Sequence, residues 1–289
     1  MPHPTPILGI IGGSGLYNFP ALQDITTIQQ TTPYGPPSSP ILVGSLSGKR
    51  VAFLARHGIG HFISPTEVNY RANIYALKSI GVRRIVSISA CGSLREDYAP
   101  GHIVIPDQLV DFTRNRQRTF FGDGIVAHIG VAEPFCGQLA AKVAEVVQQS
   151  GGILHKGGSL ITIEGPRFST RGESNLYRSW GISIIGMTAC PEAFLAREAE
   201  LCYVTMAHVT DYDVWHISEE PVSVEIVIRT LMQNTHLAQL AIQQLVETLP
   251  EEDCACHHAL ADAIITAPDC VSAETRNKMS WLIGKYIPA

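Results

Sequence analysis

Five short polar stretches of this chain carry side chains that could bind an anion or transfer a proton. Four of them follow apolar, strand-forming runs: Arg56-His57, Ser89-Ala90, Met187-Thr188 and Asp211-Tyr212-Asp213. The fifth is Ser14, in the glycine-rich turn that follows the first apolar run. Ligands of α/β proteins bind beyond the carboxyl ends of neighbouring strands, so these stretches predict one shared crevice.

The residue types divide this crevice into two chemical halves. Five side chains form a set of hydrogen-bond donors with positive charge that suits a phosphate group: Ser14, Arg56, His57, Ser89 and Thr188. Asp211 and Asp213 would repel a phosphate, so we expect them to face a different part of the ligand. From the residues alone, this Asp-x-Asp pair could also be solvated loop acids or a metal site.

The turn around Ser14 matches no standard nucleotide-binding signature. Its spacing fails the dinucleotide pattern G-x-G-x-x-G and the P-loop pattern, and it also misses the nucleophile elbow G-x-S-x-G. It is therefore either a plain tight turn or a loop whose backbone N–H groups approach an anion. His57 and His61 are four residues apart, but the glycines between them argue against a helical zinc pair, and we predict no metal site.

A predicted α/β framework positions these stretches. Residues 51–55 and 84–90 are predicted strands, and the helix between them is predicted to begin at a capping box over residues 64–67. A right-handed crossover makes the two strands parallel, which places Arg56-His57 and Ser89-Ala90 at the same edge of the sheet. Further strands and helices follow along the chain.

Composition limits the classes of partner. The 289 residues include only 16% charged residues with a net charge of −5, so a basic stripe for nucleic acid is not expected. No apolar run approaches the ~20 residues that span a bilayer, and the N-terminus lacks a signal peptide, so we expect a cytoplasmic protein without a membrane partner. So little charge suggests a surface covered by further copies of the chain. No linker is long enough to divide residues 1–289, so we expect one domain with a helical tail over about 250–289.

Eight longer motifs stand in order between Ile7 and Leu249: Gly12-Gly13-Ser14-Gly15-Leu16, Ala55-Arg56-His57-Gly58, Val68-Asn69-Tyr70 with Ala72-Asn73, Ala90-Cys91-Gly92-Ser93-Leu94-Arg95-Glu96, Ala132-Glu133-Pro134-Phe135-Cys136, Thr162-Ile163-Glu164-Gly165-Pro166-Arg167-Phe168-Ser169, Met187-Thr188 and Thr210-Asp211-Tyr212-Asp213. Together they resemble the family of purine nucleoside and S-methyl-5′-thioadenosine phosphorylases. The resemblance implies an α/β fold, a three-layer α/β/α domain with a mixed, partly barrel-closed central sheet. It also implies a homotrimer or a dimer of trimers.

The resemblance implies roles for individual residues. Phosphate, the co-substrate, would be bound by Ser14, Arg56, His57, Ser89, the N–H of Ala90 and Thr188, with no further cofactor. Phe168 and Met187 would pack on base and ribose, and Asp211, Tyr212 and Asp213 would face the purine. Val224 and Val227 would line the pocket for the 5′ substituent, and His128 would reach into a neighbouring subunit's site.

The implied activity is phosphorolysis of S-methyl-5′-thioadenosine to adenine and 5-methylthio-α-D-ribose 1-phosphate. A protonated Asp211 could donate to purine N7 if burial raises its pKa, and its carboxylate accepts from a 6-amino group. Family members that prefer 6-oxopurines typically have Asn there. Val224 suits a methylthio group, and Ser169 fits this specificity without deciding it. The alternatives are a purine nucleoside or methylthioinosine phosphorylase, a hydrolytic nucleosidase, and a nucleoside-binding sensor without turnover.

The seven cysteines are expected to be reduced thiols, mostly in the core. Cys254-x-Cys256 resembles a C-terminal motif of some thermophilic members of the family, in which it can form a disulfide. A bridge across one residue would be strained and reducible, so free thiols are favoured. The adjacent His257 and His258 leave metal capture as a lesser alternative.

Overall fold

The computed structural model describes residues 5–13, 19–217, 223–249 and 252–288. Within these ranges the strands are β1 (Leu8–Gly12), β2 (Gln23–Ile28), β3 (Ile41–Leu46), β4 (Lys49–Ala55), β5 (Arg84–Ser93), β6 (Ile103–Ile105), β7 (Gln108–Phe112), β8 (Leu154–Lys156), β9 (Ser159–Ile163), β10 (Ile184–Gly186) and β11 (Cys202–Asp211). The helices are α1 (Tyr70–Ser79), α2 (Gly137–Gln149), α3 (Arg171–Ser179), α4 (Ala189–Glu198), α5 (Val224–Thr248), α6 (Ala273–Lys278) and α7 (Ser280–Ile283).

The strands form one mixed sheet in the order β2-β3-β4-β1-β5-β10-β9-β7, with β11 also pairing to β5 and carrying β6 and β8 beside it. Its centre is parallel: β1 lies between β4 and β5, and β11 runs along β5. The register places Gly12 opposite Ala55 and Ala207 opposite Ser89. The predicted parallel arrangement of the strands on either side of α1 is therefore confirmed, with β1 inserted between them.

Helices cover both faces of this central sheet. Successive residues of a strand point to opposite faces, so Ile85 and Tyr203 pack in a cluster with α1 and α4. Their neighbours Val86 and Val204 pack instead with α2 and α5. The three-layer α/β/α fold class is confirmed by this arrangement.

β5 belongs to two parts of the sheet at once. Its first half pairs with β1, and its last residues, Gly92 and Ser93, pair antiparallel with β10. Side chains from β5, β6, β9, β10 and β11 share one small core cluster between these parts. Among the described strands no ladder joins β7 to β8, so hydrogen bonds do not close the sheet into a ring.

The structure corrects one strand boundary that bears on the site. The sequence predicts a strand ending at Ser89-Ala90, but β5 continues to Ser93. The small residues after Ala90 keep pairing, since Cys91 lies opposite Val209 and Gly92 opposite Ile185. Ser89-Ala90 therefore lie within a strand rather than at its end.

The structure also corrects the start of α1. The Ser64 hydroxyl donates to the Glu67 carboxylate at 2.6 Å, which forms a turn rather than a helix start. Asn69 is the actual cap, because its side chain accepts from the Ala72 N–H. At the start of α3, by contrast, Thr170 and Glu173 do form a capping box.

The tail over residues 252–288 packs back onto the domain. Leu260, Leu282 and Ile283 are fully or almost fully buried in the same cluster as α1. None of the helices in the described ranges combines the length and the apolar character that crossing a membrane requires.

One buried amide fixes the loop before β3 to α1. Asn73 is fully buried, and its Oδ1 accepts from the backbone N–H of Ser38 at 2.8 Å. Its Nδ2 donates to the Ser38 hydroxyl at 2.9 Å. A single side chain thus satisfies two buried polar groups of the loop.

We predict that Asn73→Ala lowers the free energy of unfolding by about 1–3 kcal/mol, because it leaves the buried Ser38 N–H unpaired. Urea denaturation at one fixed chain concentration measures the change. The control is Asn277→Ala, at an exposed position of α6, with an expected change below about 0.5 kcal/mol. Equal effects of the two substitutions would contradict the assignment.

Candidate active site

Arg56, which directly follows β4, is buried and bound by a carboxylate. Its Nε donates to Glu192 Oε2 at 2.8 Å, and its Nη2 donates to Oε1 at 3.0 Å, the two-pronged geometry of a strong ion pair. Glu192 also accepts from the Tyr203 hydroxyl at 2.8 Å. Burial opposes the charge of Arg56, but Glu192 raises its pKa, so the guanidinium stays charged away from water.

The other side of the guanidinium faces β5. Nη2 donates to Ser87 Oγ at 2.6 Å, and Nη1 donates to the Ile88 carbonyl at 3.3 Å. Of the five guanidinium N–H groups, these contacts with described residues use four, which leaves one on Nη1. Ser89 lies two residues beyond Ser87 and so on the same face of β5. The remaining N–H and the Ser89 hydroxyl can therefore serve one anion.

Ser89 and Ala90 are the only half-buried residues of β5; the other eight are buried. Ser89 is paired with Ala207, whose side chain is too small to cover it. The partial exposure of these two positions marks them as the floor of an open crevice.

The sequence predicts His57 as a hydrogen-bond donor to the phosphate, but the structure makes it an acceptor. Its Nδ1 lies 2.9 Å from the Ile63 carbonyl, which can only accept, so Nδ1 carries the hydrogen. Burial, and next the charge of Arg56, lower the pKa of His57 to about 4. At neutral pH the ring is uncharged and presents the Nε2 lone pair, which can accept from the P–OH of a hydrogen phosphate.

Thr188 caps the amino end of α4, the helix that also carries Glu192. The Thr188 hydroxyl makes no capping hydrogen bond, so it remains available to a ligand. Arg116 fixes this loop, since its Nη1 donates to the carbonyls of Met187 and Cys190 at 2.7 Å each. Through Glu192 and Arg116 the fold holds Thr188 in a defined position relative to Arg56.

Asp211, at the end of β11, supplies a buried acid. Its Oδ2 accepts from the Thr210 hydroxyl at 2.7 Å, and its Oδ1 accepts from the Asp213 N–H at 2.8 Å. Burial nevertheless raises the pKa of Asp211 to about 6, with a smaller contribution from the charge of Asp213. This carboxyl can therefore hold a proton at mildly acidic pH and release it to a base.

Asp213 lies beside Asp211 and faces α3. Burial raises its pKa, and the hydroxyls of Ser174 and Ser169 lie near enough to oppose that rise. Its Oδ2 has no hydrogen-bond partner among the described residues, so it can accept from a ligand. Gly92 provides the space for both acids, because a Cβ there would lie 3.0 Å from Asp211 Oδ1.

Apolar groups lie next to these acids. Met187 and Tyr212 are both partly buried against one cluster that contains Trp215. Met187 also packs on Gly165, where a Cβ would lie 2.6 Å from its sulfur. Phe168, half-buried, immediately precedes Ser169, which reaches Asp213. These side chains can form the walls for a flat, mostly apolar ring.

Three predicted residues are not brought together with the others, and a fourth is not described by the structure. Ser14 lies outside the described residues. Val224 and Val227 lie on the first turn of α5, where Val224 is 63% exposed, and no contact places them at the crevice. His128 is exposed, and its N–H donates to the Ala263 carbonyl of the tail. The described part of one chain therefore leaves the predicted 5′ pocket incomplete.

Sequence reasoning missed Glu192 and Arg116, the two residues that position the crevice. Glu192 is fully buried and Arg116 is 7% exposed. A glutamate in the first turn of a predicted helix and an arginine in a polar loop usually face solvent. The only available signal was proximity, since Glu192 follows Thr188 by four residues.

Comparisons with known proteins identify the family of this chain. The phosphorylase superfamily profile matches residues 7–249. The chain is 52% identical over 283 residues to an S-methyl-5′-thioadenosine phosphorylase of Geobacter sulfurreducens, covering 97% of this chain and 99% of the relative. It is 51% identical over 280 residues to the enzyme of the same name from Koribacter versatilis, covering 96% of each.

Solved structures give the same result. A methylthioadenosine phosphorylase from an Antarctic soil metagenomic library superposes with a TM-score of 0.91 at 47% identity, covering 96% of this chain and 99% of that one. The methylthioadenosine phosphorylase of Schistosoma mansoni in complex with adenine superposes with a TM-score of 0.84 at 36% identity, covering 89% and 98%. This chain belongs to the phosphorylase superfamily.

Proposed function

We propose that this protein catalyses the phosphorolysis of S-methyl-5′-thioadenosine, yielding adenine and 5-methylthio-α-D-ribose 1-phosphate. One observation carries the proposal: β5 separates a buried guanidinium, Arg56, from a buried acid, Asp211. Arg56 contacts Ser87 and Ile88 of this strand, and Asp211 pairs with Gly92 four residues farther on. Relatives about half identical in sequence and named for this reaction support the choice of nucleoside.

The guanidinium end binds the attacking phosphate in this proposal. The spare N–H of Arg56, the hydroxyls of Ser89 and Thr188 and the N–H of Ala90 donate to its oxygens, while His57 accepts from its P–OH. Ser14 is proposed to complete the set. Holding the anion against C1′ of the ribose makes the attack of phosphate effectively unimolecular.

The acid end activates the departing purine. Cleavage of the C1′–N9 bond leaves negative charge on the base, which a proton at N7 neutralises. Asp211 donates that proton, and Asp213 accepts from the base. Phe168, Met187 and Tyr212 pack around base and ribose. The acceptor oxygens at this end favour a 6-amino over a 6-oxo group, which argues against a purine nucleoside or methylthioinosine phosphorylase.

We further propose that the chain acts in the cytoplasm as a homo-oligomer of single-domain subunits. Val224, Ile228 and Met232 follow one another at four-residue spacing on α5, and each is more than half exposed. A neighbouring copy that covers this stripe would also bring its His128 near Val224 and Val227. Those residues would then enclose the 5′-methylthio group.

Phosphate-dependent turnover tests the proposed reaction. We expect adenine release from S-methyl-5′-thioadenosine to require phosphate and to yield the sugar phosphate in equal amount. Adenosine, methylthioinosine and inosine, assayed in parallel, should be poorer substrates. Equal rates of adenine release with and without phosphate would identify a hydrolytic nucleosidase, and binding without turnover would identify a sensor.

For Asp211→Asn we predict a loss of kcat/KM with adenine nucleosides of about 10²–10⁴-fold, the usual contribution of a general acid. In this variant, kcat/KM for 6-oxopurine nucleosides should rise relative to kcat/KM for adenine nucleosides. In the wild-type protein, kcat/KM should fall as pH rises through about 6, where Asp211 loses its proton. This dependence should be missing in the variant; an unchanged pH profile would exclude Asp211 as the acid.

Stability separates this loss from misfolding. The pKa of Asp211 is raised in the folded state, so its ionisation opposes folding progressively as pH rises from about 4 to above 6. Asn has no charge to bury. We therefore expect Asp211→Asn to unfold with a free energy equal to or up to about 3 kcal/mol above wild type at pH 8, with no gain at pH 3.

For Arg56→Lys we predict that KM for phosphate rises by roughly 10–100-fold while KM for the nucleoside changes less, because lysine keeps the charge but loses the fork. Arg50→Lys is the matched control, since Arg50 lies at the opposite end of the same strand. Initial rates with each substrate varied separately give both constants. A variant with unchanged KM for phosphate would remove Arg56 from the anion site.

A further inference from the structure

Four buried thiols from three separate parts of the chain converge at one point. Cys136 caps the start of α2, Cys202 begins β11, and Cys254 and Cys256 lie at the start of the tail. Their sulfur atoms lie within 4.8 Å of one another, and each residue is at most 8% exposed. We call these four residues the thiol cluster.

We propose that the thiol cluster binds one zinc ion as a structural site. Zinc prefers four thiolates in a tetrahedron at about 2.3 Å, which puts neighbouring sulfurs about 3.8 Å apart. Cys136 Sγ and Cys254 Sγ lie 3.7 Å apart, and the other pairs need only a small contraction. The sequence alone favours free thiols at Cys254 and Cys256 and leaves metal capture as a lesser alternative, because nothing in the chain order links this pair to Cys136 and Cys202.

The contacts among the four thiols connect all of them and do not divide them into two separate pairs. Cys136 is within interaction distance of each of the other three thiols, and Cys202 also contacts Cys256. A disulfide requires two sulfurs at about 2.05 Å and would single out one partner for each cysteine. One ion between four equivalent neighbours satisfies all of them together.

The surroundings can support metal-bound thiolates. The Leu139 N–H donates to Cys136 Sγ at 3.5 Å. His257 Nε2 lies 3.4 Å from the Arg83 carbonyl, which can only accept, so Nε2 carries a hydrogen, and it lies 3.5 Å from Cys202 Sγ. Such N–H groups are typical outer partners that orient metal ligands.

Cationic side chains also lie near such a site. Zinc with four thiolates carries two negative charges, which burial would penalise unless cations lie near. Arg84 and Lys142 line the small cleft that reaches Cys136 and Cys202, and the cleft also offers an entry path. Arg197 lies near enough to Cys256 to act on it electrostatically.

The proposed ion would fasten the tail to the domain. The start of α2 is already joined to β11, because the Cys136 N–H donates to the carbonyl of Tyr203, the residue after Cys202. Cys254 and Cys256 begin the tail, whose later residues bind the backbone of His128 through Ala263. Four protein ligands leave no open position, so the ion stabilises the fold and takes no part in the reaction.

Metal analysis of the full chain is the first test. The protein is purified under reducing conditions without a metal-affinity tag and treated with a weak chelator to remove loosely bound metal. Its metal content is then measured by inductively coupled plasma mass spectrometry. We expect about one zinc per chain in the wild type and in Cys270→Ser, whose cysteine is exposed and outside the cluster. The double variant C254S/C256S should retain less than a tenth of that zinc.

Cobalt substitution tests the ligands even if the double variant folds poorly. Cobalt in the wild-type chain should show thiolate charge-transfer bands and the intense visible bands of tetrahedral coordination. Removing zinc with a strong chelator should lower the melting temperature and speed hydrogen exchange over residues 252–265.

Four results would overturn the proposal. The first is a zinc-free wild type with all seven thiols titratable after denaturation. The second is a zinc-free chain whose intact mass is lower by two hydrogens for each disulfide formed. The third is a chain that contains iron and sulfide in place of zinc. Zinc that persists undiminished in C254S/C256S would also exclude this site. None of these outcomes bears on the proposed phosphorolysis, because zinc content is measured without turnover.

Discussion

The ion pair between Arg56 and Glu192 is the interaction on which the candidate site depends. Both groups are almost inaccessible to water, so each would be strongly unfavourable without the other. Their two-pronged contact fixes the plane of the guanidinium, and Ser87 and Ile88 fix its other edge. Because Glu192 lies in α4 and Arg56 follows β4, the pair also fixes Thr188 relative to the sheet. One contact thus sets the geometry of the whole anion end.

β5 connects that end to the acid end. β5 pairs with β1, β10 and β11, so the same rigid backbone positions both ends of the site. Small residues make this possible: Ser89 and Ala90 leave the crevice open, and Gly92 leaves room for Asp211. A larger side chain at any of these positions would fill the space that a nucleoside needs.

Much of this arrangement could be predicted from sequence. Apolar strands, the helix between β4 and β5 and the polar stretches that follow the strands placed Arg56, Ser89 and Asp211 in one crevice. The length of β5 could not be predicted, because its last pairs depend on β10, a strand far along the chain. Nor could the protonation of His57, which depends on burial, on the charge of Arg56 and on a contact with the Ile63 carbonyl. The positions of Glu192 and the thiol cluster are likewise consequences of tertiary packing.

The two ends of the crevice have opposite electrostatic requirements, a charged group at one end and a protonated acid at the other. Both are met by burying the group that acts there. At one end a buried cation is kept charged by a buried carboxylate, so it can attract an anion. At the other end Asp211 is buried, no cation among the described residues lowers its pKa, and its proton is retained more readily instead. If Arg56 faced Asp211, its positive charge would lower the pKa of that acid, which would then ionise and could not donate. The position of Arg56 on one side of β5 and of Asp211 on the other is therefore what allows one small site to hold an anion and a proton together.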